Sequence, residues 1–505
     1  MTSIYKNSMA NIVQQIVSLL LLFFVRAVLV REMGIEYQGL DALMMSIVSI
    51  LSILDLGIGT ASVYALYEPL AVKDHNRIRA LIKLYRNIYT VLILVLVLTG
   101  AVFALFVPFL LKDSVFTDSF IRTVFFFFLA QMASTYLFAE YSSLLLADEK
   151  NYFNSLYRTI TTVICASVQI MVIIVLENYL AKIAVVTVGN IAANCLIRHK
   201  ALSLYYYLRS RTDIQLPENG KRLVFQDLKN LSISRIADAL IFQTDNVFIS
   251  ALIGEIQVGI YSNYITIFNG VNGLINCIVV VLQPTLKNIL IKNGDNKYSQ
   301  YEILSYCTAI NSIIVSFCVC VYYFVLEDFI GLWVGQSYTL TRLTTLLMVT
   351  TQLIILLDTP IWMMMSINGR FKEIKSIGLT AAIINVLISL VLGYVTGIDG
   401  IVIGTVSCYM FSFLAHLIFV FKYLCPERRL IKIYINRVLK TVTITIITVV
   451  ICNRVINITG VGQSASVLNI IYKGVLCFAV IASINVFVNR KDIKLLLYQK
   501  PWKES

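Results

Sequence analysis

The chain has 505 residues, of which 58% are hydrophobic and only 14% are charged, and its net charge at pH 7 is +13. Soluble domains usually contain about 25% charged residues. This composition, with a mean hydropathy of +0.82, therefore excludes an ordinary soluble protein and is typical of a chain whose solvent is largely lipid.

Apolar runs long enough to cross a bilayer recur along the whole chain. A spanning helix needs roughly 20 mostly apolar residues, and we predict about fourteen such helices separated by short loops. The sequence therefore predicts an all-α, polytopic membrane protein. The predicted spans lie near 11–30, 40–66, 87–110, 121–146, 158–177, 180–200, 230–253, 260–286, 303–325, 341–366, 374–395, 399–421, 437–457 and 466–488.

The basic residues indicate how the chain is oriented. If successive loops alternate between the two sides with the N-terminus inside, most of the 41 lysine and arginine residues fall on the inner side. Cytoplasmic loops carry such an excess, so we predict that both termini are cytoplasmic. The positive charge is thus a topology signal, and no nucleic-acid-binding motif accompanies it. The ten cysteines form no Cys-x-x-Cys pair and the three histidines are scattered, so no metal site is predicted.

One short motif occurs twice, about half a chain apart. Residues 34–39 read GIEYQG after the first span, and residues 254–259 read GEIQVG after the seventh. A basic segment, RSRTDIQLPENGKR at 209–222, lies between them. Because transporters are often built from internal repeats, we predict two pseudo-symmetric lobes of six helices each and a terminal helix pair. The predicted boundaries are 1–208 for the N-lobe, 209–229 for a cytoplasmic linker, 230–425 for the C-lobe, and 426–505 for the helix pair and a cytoplasmic tail.

The segment SRIADALIFQTDNVFIS at 234–250 carries three charges inside a predicted span. Each central charge costs about 3 kcal/mol to insert, more than the apolar residues of this span return. On a helical wheel, Arg235, Asp238 and Asp245 share one half with other polar residues, and the opposite half is apolar. A water-filled cavity facing the other lobe accounts for this pattern. For Arg235, snorkelling to the headgroups is the alternative.

Other spans contain similar polar positions. Arg26 lies near the outer end of span one, where a cavity role and snorkelling are both open. Asp55 begins the segment DLGIGTA in span two, whose glycines permit close packing or unwinding. His416 lies in span twelve, either as a hydrogen-bonded core histidine or as a proton shuttle. One helical face of span one is polar, and its residues are Asn7, Asn11, Gln14 and Ser18.

Several short segments, in the same order, resemble the polysaccharide-transporter branch of the multidrug/oligosaccharidyl-lipid/polysaccharide exporter superfamily, the Wzx-type repeat-unit flippases. The resemblance spans most of the chain and is weakest after about residue 430. It is carried by DLGIGTA at 55–61, QTDNVFIS at 243–250 followed by GEIQVGIYS at 254–262, LWVG at 332–335, NGRFKEIKSIG at 368–378 and GIDGIVIGT at 397–405.

The resemblance implies a two-lobed, multidrug-exporter-like fold in a bacterial plasma membrane. It also implies that the protein carries undecaprenyl-diphosphate-linked oligosaccharides from the inner to the outer leaflet by alternating access, for export of capsule or O-antigen type polysaccharides. Related flippases use ion gradients or the membrane potential, so coupling to H⁺ or Na⁺ is expected and no organic cofactor is. Other partners would be membrane lipids and a polysaccharide polymerase or glycosyltransferases of the same pathway.

These implied roles fall on particular residues. Arg26 and Arg235 suit the anionic diphosphate. Asp55, Asp238 and Asp245 are the candidate ion-coupling residues. The polar side chains that could bind the sugars are Gln14, Asn263, Asn269, Asn272 and Asn276.

Three other functions are weighed against the flippase. A cation-coupled multidrug antiporter shares the fold, and the acids of span seven would suit a cationic substrate. A flippase for the peptidoglycan precursor lipid II belongs to the same superfamily. A membrane polymerase or ligase would need a large outer loop with arginine or histidine, and the longest predicted outer segment, 326–340, has neither. We therefore predict a transporter rather than an enzyme.

Overall fold

The structure is a computed structural model that describes residues 2–55, 57–112, 114–209, 244–292, 297–425, 427–459 and 466–488. The described residues form helices and connecting turns, with no strand among them. The all-α prediction is therefore confirmed. The chain divides into two compact units, Met1–Ser262 and Asn263–Ser505.

In the described part of the first unit, nine helices precede the helix Glu255–Lys292, and the last of them is described only in part. They are α1 (Thr2–Met33), α2 (Ile35–Leu51), α3 (Ile58–Ala71), α4 (His75–Phe103), α5 (Asp118–Tyr136), α6 (Ala139–Ala147), α7 (Tyr152–Met171), α8 (Tyr179–Leu204) and α9 (described over 244–252). Within this unit α1 packs against α2 and α7, α5 against α8, and α3 against α4 and α6.

The long helix α10 (Glu255–Lys292) begins in the first unit and continues through the second. The remaining helices are α11 (Lys297–Trp333), α12 (Arg342–Ile367), α13 (Phe371–Thr396), α14 (Ile398–Phe419), α15 (Arg428–Thr459) and α16 (Val467–Val488). A π-helical turn, Val420–Leu424, extends α14. In the second unit α12 and α13 pack against α14, and α15 and α16 pack against α11 and each other.

Within the described residues, nine helices are long and apolar enough to cross a membrane, and a tenth span results if α5 and α6 are counted together. Their outward faces are apolar as well. On α4, for example, Val91, Leu94, Leu98 and Val102 are each more than half exposed and follow one another at helical spacing. Such a stripe is stable against lipid and unfavourable in water. The protein is therefore a multi-pass membrane protein.

The predicted number of about fourteen spans stays a prediction. The predicted span 230–253 lies mostly outside the described residues, and the apolar part of α16 is shorter than a full span. The predicted span 40–66 is interrupted, because α2 ends at Leu51, a 3₁₀ turn covers Ser52–Asp55, and α3 starts only at Ile58. Gly57 has a φ of 77°, a left-handed conformation that suits glycine. The sequence left open whether the glycines of DLGIGTA permit close packing or unwinding of the helix. Gly57 lies at the interruption between α2 and α3, so it permits unwinding.

The twice-occurring glycine motif has a direct structural explanation within the first unit. The first glycine of each copy, Gly34 or Gly254, has a positive φ (105° and 133°) at the turn that starts α2 or α10. The second glycines, Gly39 and Gly259, lie where the two helices cross. A Cβ on Gly259 would lie 2.7 Å from the carbonyl oxygen of Ile35, so only glycine allows this approach.

At two of the places where the described helices are perturbed, an asparagine from a neighbouring helix compensates. Between α5 and α6 the chain bends by 41° at Phe138, which is in a left-handed conformation. There Asn194 of α8 donates to the carbonyl oxygens of Ser134 (3.0 Å) and Thr135 (3.3 Å). In α12, Pro360 has no N–H for the carbonyl four residues earlier. That carbonyl, Leu356 O, accepts a hydrogen bond from Asn311 of α11 at 2.7 Å.

Candidate functional site

A cavity of about 380 Å³ lies inside the first unit, among α1, α2, α5, α7 and α8. One part of its wall is apolar, with Leu22, Val25 and Phe128 among its side chains. The polar part is built by residues from all five helices. These residues are Ser18, Arg26, Asp41, Gln131, Thr161, Thr162, Gln169, Lys182 and Asn190.

An ion pair between α2 and α8 forms one side of the cavity. The Nζ atom of Lys182 lies 2.5 Å from Oδ1 of Asp41, and the hydroxyl of Tyr179 donates to the same oxygen at 3.1 Å. The side chains of Lys182 and Asp41 are only 8% and 18% exposed. A carboxylate and an ammonium at this depth need each other, because an unpaired charge in a low-dielectric region is strongly unfavourable.

Arg26 of α1 supplies a second cation. One of its terminal nitrogens, Nη1, donates to the carbonyl oxygen of Ser262 at 3.2 Å. Its Nε atom is buried and has no hydrogen-bond partner among the described residues, and none of the described carboxylates forms an ion pair with it. Since Asp41 neutralises Lys182, the guanidinium of Arg26 leaves this cavity with a net positive charge.

Amide and hydroxyl groups complete the polar wall. Gln169 donates to the carbonyl oxygen of Cys165 at 3.2 Å, and Asn190 donates to that of Gln131 at 3.5 Å. Such groups can donate to and accept from the hydroxyls of a bound molecule. The site can therefore hold an anion next to neutral polar groups. Within the described residues, no group of histidine, cysteine, aspartate and glutamate side chains could hold a metal ion.

Of the residues predicted from sequence to bind the diphosphate, the structure places Arg26 in this cavity. Arg235 lies outside the described residues, as does Asp238. None of the five residues predicted to bind sugar lines this cavity in the described structure. Asn263 is fully buried in α10, Asn272 donates to Gln352 Oε1 at 3.0 Å, and Asn269 and Asn276 are exposed. Gln14 is half-buried on α1. Their sugar-binding role stays a prediction.

The polar face of span one is used in part for helix packing. Asn7 accepts from the backbone N–H of Tyr152 at 2.8 Å, and Asn11 accepts from Asn151 and from Ser155 at 3.1 and 2.6 Å. These bonds tie α1 to the start of α7. Ser18, further along the same face, does line the cavity.

The described ion-coupling candidates lie elsewhere in the first unit. Asp245 is buried in α9 and accepts a hydrogen bond from the hydroxyl of Tyr261 at 2.9 Å. Asp55 ends the 3₁₀ turn at the interruption of span two. Coupling through either residue stays a prediction.

Sequence reasoning missed Asp41 and Lys182. The signal was present, since both charges fall near the start of predicted spans, 40–66 and 180–200. At a span end, however, a charged side chain is usually explained by its nearness to water. Their pairing joins residues far apart in the chain, which no local pattern reveals.

Comparison with known proteins agrees with this architecture. A family model for polysaccharide biosynthesis proteins matches residues 4–290. No curated protein sequence matches the chain at a significant level. Among solved structures, the lipid II flippase MurJ is similar with a TM-score of 0.67 and 13% identity, over 95% of this chain and 98% of that one.

Two multidrug transporters have the same fold. An inward-facing multidrug resistance transporter of the MATE family, in the MOP superfamily, has a TM-score of 0.60 at 13% identity, over 82% of this chain and 95% of that one. A variant of the Vibrio cholerae MATE transporter VcmN has a TM-score of 0.57 at 13% identity, over 85% and 100%.

The apolar helices define a multi-pass membrane protein, and its fold is the one found in MurJ and in the MATE transporters. The family model covers more than half of the chain, and the protein belongs to the polysaccharide biosynthesis family. The family predicted from the sequence motifs is thereby confirmed.

Proposed function

We propose that the protein is a flippase that moves undecaprenyl-diphosphate-linked oligosaccharide repeat units from the inner to the outer leaflet of a bacterial plasma membrane, for export of a capsule or O-antigen type polysaccharide. The single observation that carries this proposal is the cavity of the first unit, where Arg26 provides a net positive charge beside amides and hydroxyls. Membership of the polysaccharide biosynthesis family supports it.

The chemistry of the substrate fits this cavity in two respects. A diphosphate carries negative charge into a low-dielectric region and needs a cation there, and a guanidinium pairs well with phosphate oxygens. The sugars carry many hydroxyls, which would lose their hydrogen bonds to water unless groups such as Gln169 and Asn190 replaced them. The buried Nε atom of Arg26 is a donor that a phosphate oxygen would satisfy.

The polyprenyl tail requires a different path. Moving a hydrocarbon chain from lipid into a polar cavity costs about 0.8 kcal/mol per CH₂ group, so a tail of many isoprene units stays in the bilayer. The headgroup alone therefore enters the cavity, and the tail follows between helices. A transporter of this kind needs a polar cavity among membrane-spanning helices, and the cavity of the first unit supports this part of the proposal.

The charge of the cavity also bears on the rival functions. A cationic drug would meet Arg26 and the neutralised Asp41–Lys182 pair, an arrangement that disfavours positive charge. Lipid II shares the polyprenyl diphosphate, and the similarity in fold to MurJ keeps it as the second candidate. The two flippase functions differ in the sugar, so substrate competition separates them.

The test is translocation in liposomes that contain the purified protein and a fluorescent undecaprenyl-diphosphate oligosaccharide. We expect Arg26→Gln to reduce the initial rate by about tenfold or more, because a hydrogen bond to a charged group is worth about 1.5–3 kcal/mol. Arg26→Lys should have an intermediate rate, since it keeps the charge and loses the planar donor set.

Arg77→Gln is the matched control, because Arg77 is an exposed arginine that pairs with Glu68 at 2.9 Å on the surface. Equal rates for wild type and Arg26→Gln would remove the cationic site from the proposal. Translocation of lipid II alone would favour the second candidate, and export of an organic cation alone would favour an antiporter.

A further inference from the structure

A histidine and an aspartate form a buried pair inside the second unit, away from the cavity described above. His416 of α14 and Asp358 of α12 meet with Nδ1 of the ring 2.9 Å from Oδ2 and 3.1 Å from Oδ1. Their side chains are 7% and 17% exposed. Both helices are among those long and apolar enough to span the membrane. The pair therefore lies in a low-dielectric environment.

The second ring nitrogen of His416 has an unusual environment. Nε2 is buried and has no hydrogen-bond partner among the described residues. Because Asp358 accepts at Nδ1, it holds the ring in the tautomer that leaves Nε2 as the basic nitrogen. A buried nitrogen lone pair without a donor is unfavourable, and a proton taken up at Nε2 changes it into a charged N–H next to a compensating carboxylate.

At the same sequence offset in the first unit, the described residues form a different arrangement. Phe138 follows Gly34 by as many residues as Asp358 follows Gly254. Instead of a carboxylate and an imidazole, Phe138 has the guanidinium of Arg198 over its ring, 4.4 Å from the centroid. A permanently charged arginine and an aromatic ring cannot exchange a proton near neutral pH. At this sequence offset the first unit therefore has a cation over an aromatic ring, and the second unit has the histidine–aspartate pair.

Other ionisable groups lie on the described helices around the pair. Among the described residues, the ion-pair partner of Asp358 is His416 and no lysine or arginine. In α13, Glu373 pairs with Arg370. Tyr434 of α15 is a titratable group on which the charge of Asp358 acts. The other ionisable groups on the helices packed around the pair include Tyr306 and Cys307 of α11, Lys375 of α13 and Lys422 of the π-helical turn.

We propose that His416 and Asp358 form the site that binds the coupling proton of transport, with Nε2 of His416 as the atom that takes it up. This inference rests on the proposed transport function and names its driving ion. In the empty state the imidazole is neutral and the pair carries one negative charge. A proton from a hydronium ion then forms the N–H bond at Nε2, water is left behind, and the imidazolium neutralises Asp358. Release to water reverses the step.

The charge change has a mechanical consequence at this position. An uncompensated carboxylate in a membrane helix bundle favours water entry or separation of the helices, whereas the neutral ion pair favours close packing. Near Asp358, Pro360 interrupts the backbone hydrogen bonds of α12, and Asn311 supports the carbonyl that is left. Proton binding thus acts on the part of α12 that bends most easily, and it shifts the balance between two packings of α12 and α14.

A direct test observes the proton without transport. The chain has three histidines, so selective ¹⁵N labelling of histidine gives few signals, and the variants His75→Asn and His199→Asn assign them. Spectra recorded from about pH 5 to about pH 9 should show a proton bound at Nε2 of His416 at the acidic end of the series and a different response to pH in Asp358→Asn. A signal that stays constant over this range would overturn the proposal, because the pair would then not exchange protons.

A second test measures the effect of a pH gradient on translocation in proteoliposomes. His416→Gln and Asp358→Asn should lower the gradient-driven stimulation by about tenfold, within the usual range of coupling energies. The matched control is Asp328→Asn with Lys473→Met, which removes another buried ion pair of the same unit, between α11 and α16. This double variant should keep the stimulation.

The two tests separate the possible failures. If wild type moves no lipid-linked oligosaccharide, the proposed function fails, and the histidine titration still decides whether the site binds a proton. If wild type transports and His416→Gln keeps its response to the gradient, the proton site is overturned and the flippase stands.

Discussion

Gly39 and Gly259 pack against each other in the first unit, and each closes one copy of the repeated glycine motif. A Cβ on Gly39 would overlap the backbone carbonyl of Glu255, and a Cβ on Gly259 would approach that of Ile35. The two copies are therefore in contact with each other, each providing the surface that the other needs.

We expect Gly39→Ala and Gly259→Ala each to destabilise the protein by about 1–3 kcal/mol, the usual cost of overpacking. The atoms that the new methyl group would meet belong to the backbone, which cannot move away as a flexible side chain can. Thermal unfolding of the purified variants in detergent measures the effect. Gly474→Ala is the matched control, because a Cβ on Gly474 in α16 would have no heavy atom within 4 Å. An equal loss of stability in the control would show that helical glycines are sensitive for another reason.

Removing one member of the Asp41–Lys182 pair should be more harmful than removing both. Asp41→Asn leaves an ammonium in the cavity with no carboxylate, and loss of one partner of a buried pair costs about 3–5 kcal/mol. The double variant Asp41→Asn with Lys182→Met removes both charges and should recover most of that stability.

Unfolding of the two single variants and the double variant in a double-mutant cycle measures the coupling between Asp41 and Lys182. Additive losses would show that the two side chains are adjacent without an energetic interaction. In translocation, Asp41→Asn raises the net positive charge of the cavity, so we expect tighter binding of the anionic headgroup and slower release.

The support of Leu356 O by Asn311 should depend on Pro360. Asn311→Leu leaves that carbonyl buried without a donor, at a cost of about 1–3 kcal/mol. Pro360→Ala restores the backbone N–H that normally reaches it, so Asn311→Leu should then cost less. Unfolding of the four proteins measures this difference. Equal costs of Asn311→Leu in both backgrounds would contradict the assigned role.

Cys425 offers a test of burial outside the spanning segments. It is fully buried after the π-helical turn, and burial, with a smaller contribution from the charge of Glu427, raises the pKa of its thiol from 9.0 to about 11. The reactive thiolate is therefore scarce at pH 8 and increases as the pH rises towards 11.

In a variant that keeps only this cysteine, we expect maleimide labelling at pH 8 to be about a hundredfold slower than that of an unfolded control, as two pKa units require. The rate should rise with pH until about 11, beyond the range in which an ordinary thiol levels off. Rapid labelling of the folded protein at pH 8 would contradict this burial.

The composition and periodicity of the sequence were sufficient to predict the helical membrane fold, because lipid imposes a strong hydrophobic pattern on every span. The repeated glycine motif could also be recognised in the sequence, because glycine at a fixed spacing indicates a positive φ or a close approach of two backbones. Arg26 was a candidate because an arginine within an apolar run needs an explanation, although a cavity role and snorkelling were both open.

Other features depended on contacts between distant residues. Asp41 and Lys182 are each unremarkable near a span end, and become a site only when α2 and α8 meet. The sequence showed only that Asn7 and Asn11 share a polar face of span one, and the structure shows that both hold α7 in place. A polar side chain in a span shows that a partner is needed, and it does not show whether the partner is a helix, water or a ligand.

The length of α11 has a consequence for motion. Its 37 residues extend over about 55 Å, whereas the hydrocarbon core is about 30 Å thick, so a large part of the helix projects beyond the lipid. Near its N-terminal end, Arg437 of α15 donates to the carbonyl oxygen of Ser305 at 3.1 Å and braces it laterally. A tilt of about 10° around the midpoint of α11 would move each end by about 5 Å. A small rotation of the helix within the bilayer would therefore produce a larger displacement of the parts that project beyond it.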